Sequence, residues 1–195
     1  VTEPNIAAAL FERLHNAPFL TIGFLNGYAR GGGCEFLSAL DLRVGSVRAI
    51  IGQPEVPMGI LPGAGGTVRL ARQLGRAKAL EVILSGRDIG VEELLSIGWL
   101  QSVVLSEDLD IALDVYVDRF AHLDRRSVLA VKRVVNASLE NDPAALTIES
   151  EELNAAMVDG RHREPMRRFL AAGGQTRFKE VGSVDPLLEA MRGRD

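Results

Sequence analysis

Glycine is distributed unevenly along the chain, and this unevenness constrains the fold more than any other feature of the sequence. Residues 1–105 hold 15 of the 20 glycines and alternate short apolar runs with helix-compatible stretches. Residues 106–172 are periodic in their apolar positions and almost free of glycine. Short runs bounded by glycine are typical of strands and turns, whereas long periodic runs are typical of helices. We therefore expect an α/β layer over residues 1–105 and a helical region over residues 106–195.

The same patterns predict individual elements. In the first half we expect helices at 6–14, 35–40, 67–74, 77–84 and 91–97, and strands at 19–25, 42–44, 49–51 and 103–105. In the second half apolar stripes predict helices over 109–120, 128–139 and 161–172. Asp142-Pro143 is a good N-cap and first-turn pair for a further helix. The tail beyond Thr176 is polar and is expected to be loosely held.

Composition and charge exclude several classes of protein. The 195 residues, 47% apolar and 25% charged, have the composition of a globular domain with a sizeable core. The net charge of −4 argues against a nucleic-acid-binding surface over the whole protein. No apolar run reaches the roughly 18 residues that span a bilayer. Cys34 is the only cysteine, so we expect no disulfide framework, no metal site and a cytoplasmic, reducing location.

The first residues carry an expectation of their own. Val1 is not a methionine, and the opening residues have the pattern of a helix already under way, without a charged-then-apolar signal segment. We expect this start to be a cut, a mature end or the edge of a disordered region. An intact mass compared with the 21.1 kDa of this chain distinguishes these cases.

Three consecutive glycines precede an acid in the first notable motif, Gly31-Gly32-Gly33-Cys34-Glu35. Glycines between a strand and a helix leave backbone N–H groups bare at the helix N-terminus, where the helix dipole also favours negative charge. Glycine lets a ligand approach the main chain closely as well. The motif fits a site for developing negative charge, and it equally fits a tight strand-to-helix turn without a ligand.

Two further motifs follow along the chain. Gly52-Gln53-Pro54-Glu55 places an acid beside a proline in an irregular segment, which favours a raised pKa and proton transfer, although such a pattern alone is more often a surface turn. Pro62-Gly63-Ala64-Gly65-Gly66-Thr67 enters a helix but lacks the lysine of a phosphate loop and the third glycine of a dinucleotide fingerprint. Close helix packing beside a site explains this third motif better than nucleotide binding.

Taken together, the motifs resemble the enoyl-CoA hydratase/isomerase (crotonase) family. The resemblance rests on NGYARGGGCEFLSALDLRVGS, IGQPEVPMGILPGAGGTVRLARQLG and ALEVILSGRDIGVEELLSIGWLQSVV, whose order and spacing agree without a gap between Gly31 and Gly98. It is strong from Phe19 to about Asn136 and traceable to Phe178. It implies an α/β fold, a ClpP/crotonase-like spiral of ββα turns, followed by C-terminal helices that cover CoA and build a trimer.

The resemblance also implies a role for each matched residue. Glu35 would orient a water and act as its base at Cβ of an enoyl thioester, and Glu55 would give a proton to Cα. Two nearby carboxyls can divide these tasks because they push their pKa values apart. Gly32 matches one backbone N–H of the family's oxyanion hole, whose second donor belongs in relatives to a segment before the residues present here. Three glycines are expected to line the substrate site: Gly31, Gly33 and Gly63.

Some positions depart from the family. The aromatic residue and the lysine that contact CoA in some relatives fall on Leu153 and Ala172, so no CoA contact is carried over to them. Arg30 stands where relatives commonly have small or apolar residues, and it is expected to shape the acyl tunnel or pair with a polar acyl group. A basic set near the C-terminus could meet CoA phosphates or form a solvated helix face: Arg161, Arg163, Arg167, Arg168, Arg177 and Lys179.

Because both acid positions are glutamate, the leading hypothesis is an enoyl-CoA hydratase that converts a trans-2-enoyl-CoA into a 3-hydroxyacyl-CoA. Coenzyme A arrives with the substrate, so no separate cofactor is expected. The alternatives are an enoyl-CoA isomerase or another acyl-CoA-processing member, and a catalytically inactive member of the fold. The expected partners are the acyl-CoA thioester and further copies of the chain in a homotrimer or hexamer, with no nucleic acid and no membrane.

Overall fold

The structure, a computed structural model, describes residues 6–57, 60–139, 151, 154–155, 157–160, 162–174, 176 and 190. The chain divides into two compact units, Val1–Ala121 and His122–Asp195. The predicted division into residues 1–105 and 106–195 stays a prediction. No helix in the described ranges is long and apolar enough to cross a membrane.

Short strands and helices alternate in the first unit. The helices are α1 Ile6–His15, α2 Gly32–Ser38, α3 Gly66–Leu74, α4 Arg76–Ser85, α5 Val91–Ser96 and α6 Leu109–Ala121, with a 3-10 turn at Ser106–Asp108. The strands are β1 Ile22–Leu25, β2 Tyr28–Arg30, β3 Leu42–Ser46, β4 Ile50–Gly52, β5 Ile89–Gly90 and β6 Ser102–Val104. The described helices of the second unit include α7 Arg125–Leu139 and α8 Arg163–Ala171.

The strands form two three-stranded sheets. One sheet has the order β1-β3-β6 with parallel pairs, and the other has the order β2-β4-β5, in which β4 pairs in parallel with β2 and antiparallel with β5. The first four strands therefore alternate between the sheets: β1 and β3 belong to the first, and β2 and β4 belong to the second. This alternation brings Arg30 beside Gly52 and sets the two glutamate-bearing segments next to each other at the ends of β2 and β4.

The core lies between these sheets and helices α2 to α5. Its fully buried side chains include Trp99, Ile51, Leu70, Ile89, Leu94, Val44 and Val82. Burial of this apolar surface is the main driving force for the unit. Strand β3 is buried at four of its five positions, as expected for a central strand of a parallel sheet that is covered on both faces.

A buried arginine anchors the end of α2. Arg43 Nε donates to Trp99 O at 2.8 Å, and its Nη1 donates to Leu40 O at 2.8 Å and to Leu37 O at 3.3 Å. Its guanidinium also lies 5.1 Å from the centre of the Trp99 ring. Carbonyls at a helix C-terminus lack intrahelical donors, and Arg43 supplies them here. Burial lowers the pKa of Arg43 to about 10, still high enough for the side chain to be charged at neutral pH.

Most predicted elements are confirmed, with boundaries that move by one to three residues. Two strands were not predicted: β2, whose three residues include an arginine and form no apolar run, and β5, which has only two residues. The predicted helix start at Asp142-Pro143 lies outside the described residues, and so does nearly all of the tail beyond Thr176.

Candidate active site

Glu35 lies in the first turn of α2 and is 4% exposed. Two backbone groups of the loop before α3 bind the same carboxylate oxygen: Ala64 N–H donates to Oε1 at 2.7 Å, and Gly66 N–H donates to it at 2.9 Å. A buried acid needs such donors, because an unpaired buried carboxylate is costly. The arrangement fixes the orientation of the carboxyl group and leaves Oε2 for other partners.

Glu55 follows β4 in an irregular segment and is 8% exposed. Its Oε2 is buried and has no hydrogen-bond partner among the described residues. Burial raises the pKa of Glu55 above its ordinary value of 4.5, and the negative charge of Glu35 raises this pKa further. The two carboxyls therefore have unequal surroundings: one accepts two backbone donors, and the other is inclined to keep its proton.

The two glutamate-bearing segments come close together at Gly31. It precedes α2 with φ +51°, its N–H donates to Gly52 O at 2.9 Å, and its carbonyl accepts from Glu35 N–H at 3.0 Å. A Cβ built on Gly31 would lie 2.7 Å from Glu55 Oε1. A side chain at this position would be strained and would displace the Glu55 carboxyl, so the site requires glycine here.

The other predicted glycines occupy different surroundings. Gly32 and Gly33 are exposed in the first turn of α2, and no side chain caps this helix start. The first N–H groups of a helix have no intrahelical acceptor, so this turn presents donors to the outside. Gly63 is an exposed residue of the loop before α3. Roles for Gly32, Gly33 and Gly63 in substrate binding stay predictions.

Gln53 was not predicted to take part in the site. Its side chain is fully buried, and neither Nε2 nor Oε1 has a hydrogen-bond partner among the described residues. A Cβ on Gly66 would lie 2.9 Å from Gln53 Nε2 and 2.9 Å from Glu35 Cγ. The second glutamate motif thus packs against the loop that binds Glu35, and Gly66 is the residue that allows this approach.

Cys34, between the glycine triplet and Glu35, is fully buried. Burial raises the pKa of its thiol to about 12. Because the thiolate is the nucleophilic form of cysteine, Cys34 is unsuited to attack a thioester at neutral pH. No cysteine nucleophile therefore stands beside the two buried carboxyls.

Arg30 does not extend freely towards a substrate. Its Nε donates to Asp88 Oδ1 at 2.6 Å and its Nη2 pairs with Asp88 Oδ2, so the contact is bidentate, and the guanidinium lies 4.4 Å from the centre of the Tyr28 ring. Both charged side chains are nearly half exposed. This ion pair joins β2 to the residue before β5 across β4. The expectation that Arg30 shapes an acyl tunnel stays a prediction.

The basic set near the C-terminus is partly described. Arg167 and Arg168 both pair with Glu164 on the surface of α8, and these contacts hold the pKa of Glu164 down at about 2. Two of the predicted CoA-contacting arginines therefore already have an anionic partner in their own helix, as the solvated-face interpretation expects. Arg161, Leu153, Arg177 and Lys179 lie outside the described residues.

Sequence reasoning also missed Arg69, a buried residue of α3. Its Nη1 donates to Ala64 O at 3.0 Å, and its Nη2 pairs with Glu12 Oε2 at 2.8 Å. The only signal available in the sequence was an arginine near the start of a helix that directly follows a glycine-rich loop. A charged residue in that position is equally compatible with a solvated helix face.

The fold and the two buried carboxyls define the chain as an α/β protein with a two-acid site. Comparison with known proteins identifies the family. The sequence model of the enoyl-CoA hydratase/isomerase family matches residues 4–181. The chain belongs to this family. The expected crotonase fold is thereby confirmed, since structures with that fold superpose on the chain at TM-scores of 0.72 to 0.81.

Three solved structures illustrate the similarity. The first is enoyl-CoA hydratase subunit I from Geobacillus kaustophilus HTA426, with 30% identity, TM-score 0.80 and coverage of 88% of this chain and 66% of that one. The second, enoyl-CoA hydratase from Bacillus anthracis, has 28% identity, TM-score 0.80 and coverage of 85% and 64%. The third, a predicted enoyl-CoA hydratase from Thermobifida fusca YX in complex with acetoacetyl-CoA, has 26% identity, TM-score 0.72 and coverage of 79% and 65%. The chain thus spans slightly less than two thirds of the length of each.

Proposed function

We propose that the protein is an enoyl-CoA hydratase that adds water to a trans-2-enoyl-CoA and yields a 3-hydroxyacyl-CoA. The unequal surroundings of its two buried carboxyls carry the proposal. Glu35 Oε1 accepts two backbone N–H groups, whereas burial raises the pKa of Glu55 and its Oε2 has no described partner. Hydration needs one group that accepts a proton and one that gives a proton, and an unequal pair meets this need.

The proposed step uses the two carboxyls together. The water oxygen bonds to Cβ while one of its protons passes to Glu35, and the electrons of the C=C bond move towards the thioester oxygen. Glu55 gives its proton to Cα, and the enolate returns to a thioester. Glu35 has then gained a proton and Glu55 has lost one, and exchange with solvent after product release restores both.

The thioester oxygen becomes negatively charged in this step and needs hydrogen-bond donors. We assign one of them to the N–H of Gly32, in the uncapped first turn of α2. Removing one donor of this kind costs about 10²–10³ in rate. Gly31, Gly33 and Gly63 would line the same site. The coenzyme A of the substrate supplies the thioester, and the proposed reaction uses no separate cofactor.

Two substitutions test the proposal. With crotonyl-CoA, the wild-type protein should consume the enoyl thioester absorbance until equilibrium is reached. Glu35→Gln and Glu55→Gln should each lower kcat by about 10²–10⁴ because each removes one proton-transfer group. The matched control is Glu92→Gln, an exposed acid of α5 that should leave the rate unchanged. A wild-type protein that leaves crotonyl-CoA intact would refute the proposal, and an unchanged rate in Glu35→Gln would refute the assigned roles.

The environment of Glu55 would also serve a double-bond isomerase, which moves a proton with one acid. Glu35 separates the two functions, because hydration needs a base for the water and isomerisation does not. Assays with trans-3-enoyl-CoA distinguish them: an isomerase should keep most of its activity in Glu35→Gln, whereas a hydratase should lose its activity on crotonyl-CoA.

A further inference from the structure

We propose that Arg69 is a positioning residue for Glu35: it holds the loop Ala64-Gly65-Gly66 in the one orientation that points two N–H groups at the carboxylate. The proposal rests on the proposed hydration only in naming Glu35 as the base. Arg69 is 7% exposed, and its guanidinium donates to the carbonyl of Ala64 in this loop.

The order of the peptide groups in the loop explains how Arg69 acts. The N–H groups that bind Glu35 belong to Ala64 and Gly66, and the peptide group between them has the carbonyl of Ala64. That carbonyl accepts the hydrogen bond from Arg69 Nη1 at 3.0 Å. A carbonyl turned towards Glu35 would repel it, so the contact with Arg69 holds the acceptor away while the two donors converge.

Arg69 is itself fixed from two directions. Its backbone N–H donates to Gly65 O at 2.9 Å, which begins the hydrogen-bond pattern of α3. Its Nη2 pairs with Glu12 of α1 at 2.8 Å, and Glu12 Oε1 accepts a further hydrogen bond from Asn16 Nδ2 at 2.8 Å. A planar guanidinium can bind a carbonyl and a carboxylate together in this way, and a lysine ammonium reproduces these contacts only in part.

The backbone conformation of Gly65 leaves room for the Arg69 guanidinium. It has φ +102°, and a Cβ built on it would overlap Nη1 of Arg69. Both the backbone conformation and the space therefore require glycine. The backbone of the loop comes this close to the guanidinium because the residue between the two donors has no side chain.

The loop has room to move if Arg69 is shortened. A cleft of about 590 Å³ lies on the side of α1 and is lined by Glu12, Ala64, Gly65, Val68 and Arg69, among others. Close packing therefore does not hold the loop on that side, and polar contacts must do so. Loss of the Arg69 hydrogen bond should let the peptide turn and withdraw one or both donors from Glu35.

The test uses four proteins: wild type, Arg69→Met, Glu35→Gln and the double variant. The first readout is the amide proton shift of Ala64 and Gly66 in NMR spectra, which requires no activity. In the wild-type background Glu35→Gln should shift both signals, since a neutral amide replaces the carboxylate they bind. In the Arg69→Met background the same change should have little effect. Equal responses in both backgrounds would overturn the proposal.

Activity supplies the second readout. Arg69→Met should lower kcat on crotonyl-CoA by about 10²-fold, as expected for a misplaced catalytic group, and should leave acetoacetyl-CoA binding within about twofold. Arg69→Lys should recover part of the rate and part of the amide response, and it replaces Arg69→Met if that variant does not fold. Arg76→Met, at an exposed arginine of α4, is the matched control and should behave as wild type. If the wild-type protein does not hydrate crotonyl-CoA, the proposed function fails while the amide shifts still decide the role of Arg69.

Discussion

The carboxyl group of Glu55 is buried, and its Oε2 has no hydrogen-bond partner among the described residues. This burial should make the stability of the protein depend on pH. Burial and the charge of Glu35 raise the pKa of Glu55 in the folded protein above its ordinary value of 4.5. The folded state then binds more protons than the unfolded state above about pH 4.5. The contribution of Glu55 to stability should therefore be largest below that pH and fall as the pH rises through the folded-state pKa.

Glu55→Gln should remove this penalty. We expect the variant to be more stable than wild type by about 1 kcal/mol at pH 7, with the difference shrinking towards pH 4, while hydratase activity is lost. Urea unfolding at pH 4, 5.5 and 7 measures the difference, and Glu92→Gln serves as the exposed control. A difference that does not change with pH would contradict the raised pKa.

Gly31 is a second residue at which one substitution should lower activity, in this case together with stability. Gly31→Ala forces a side chain into φ +51° and places a Cβ 2.7 Å from Glu55 Oε1. We expect a destabilisation of about 1–2 kcal/mol from the backbone conformation and a fall in kcat of about 10²-fold from displacement of Glu55.

The control for Gly31 is Gly90→Ala. Gly90 has φ −85°, and a Cβ there meets nothing within 4 Å. This variant should keep the wild-type rate and nearly the wild-type melting temperature. A similar effect of both substitutions on kcat would mean that the contact between Gly31 and Glu55 does not matter for the reaction.

At the scale of elements, α2 depends on what holds each of its ends. Its N-terminal turn carries the glycine triplet and Glu35, and its C-terminal carbonyls depend on Arg43. Arg43→Met should remove three buried hydrogen bonds from a charged donor and lower the free energy of unfolding by about 3 kcal/mol or more. Arg48→Met removes an exposed arginine from the turn after β3 and should cost less than about 0.5 kcal/mol.

Chemical denaturation of these two arginine variants measures the contrast. Equal losses would show that burial of the Arg43 contacts adds nothing to their strength. Arg43→Met should also lower kcat on crotonyl-CoA, because a loosened α2 would misplace Glu35.

At the scale of the whole molecule, the described surface has apolar positions that a single chain leaves exposed. On α7, Val131, Val135 and Leu139 are 63%, 50% and 49% exposed and follow each other at intervals of four residues. Such a stripe on one face of a helix is typical of a surface that another element covers. We predict a homotrimer or a hexamer, as the family resemblance implies.

Val131→Asp combined with Val135→Asp should shift the assembly towards the monomer, because two charges would be buried at the contact. Sedimentation velocity measures the change. Arg133→Asp changes the opposite face of the same helix and should leave the assembly intact. A monomeric wild-type protein, or an assembly that tolerates both aspartates, would contradict the prediction.

Local sequence determined a large part of this protein. The glycine triplet, Glu35 and Glu55 could be named from their motifs, and helix and strand positions followed from apolar periodicity, because each of these signals lies within a few neighbouring residues. The family, too, followed from motif order and spacing, and comparison with known proteins confirmed it.

Only the tertiary structure decided which groups meet across the chain. The donors to Glu35 come from residues 29 and 31 positions away, Arg43 reaches Trp99 across 56 positions, and Arg30 pairs with Asp88 across 58. None of these contacts has a local signal, because the same residue stands in the sequence whether its donor group faces solvent or a buried acceptor. The sequence determined that two acids and a glycine turn are present, and the folded chain determined their unequal surroundings, on which the proposed chemistry depends.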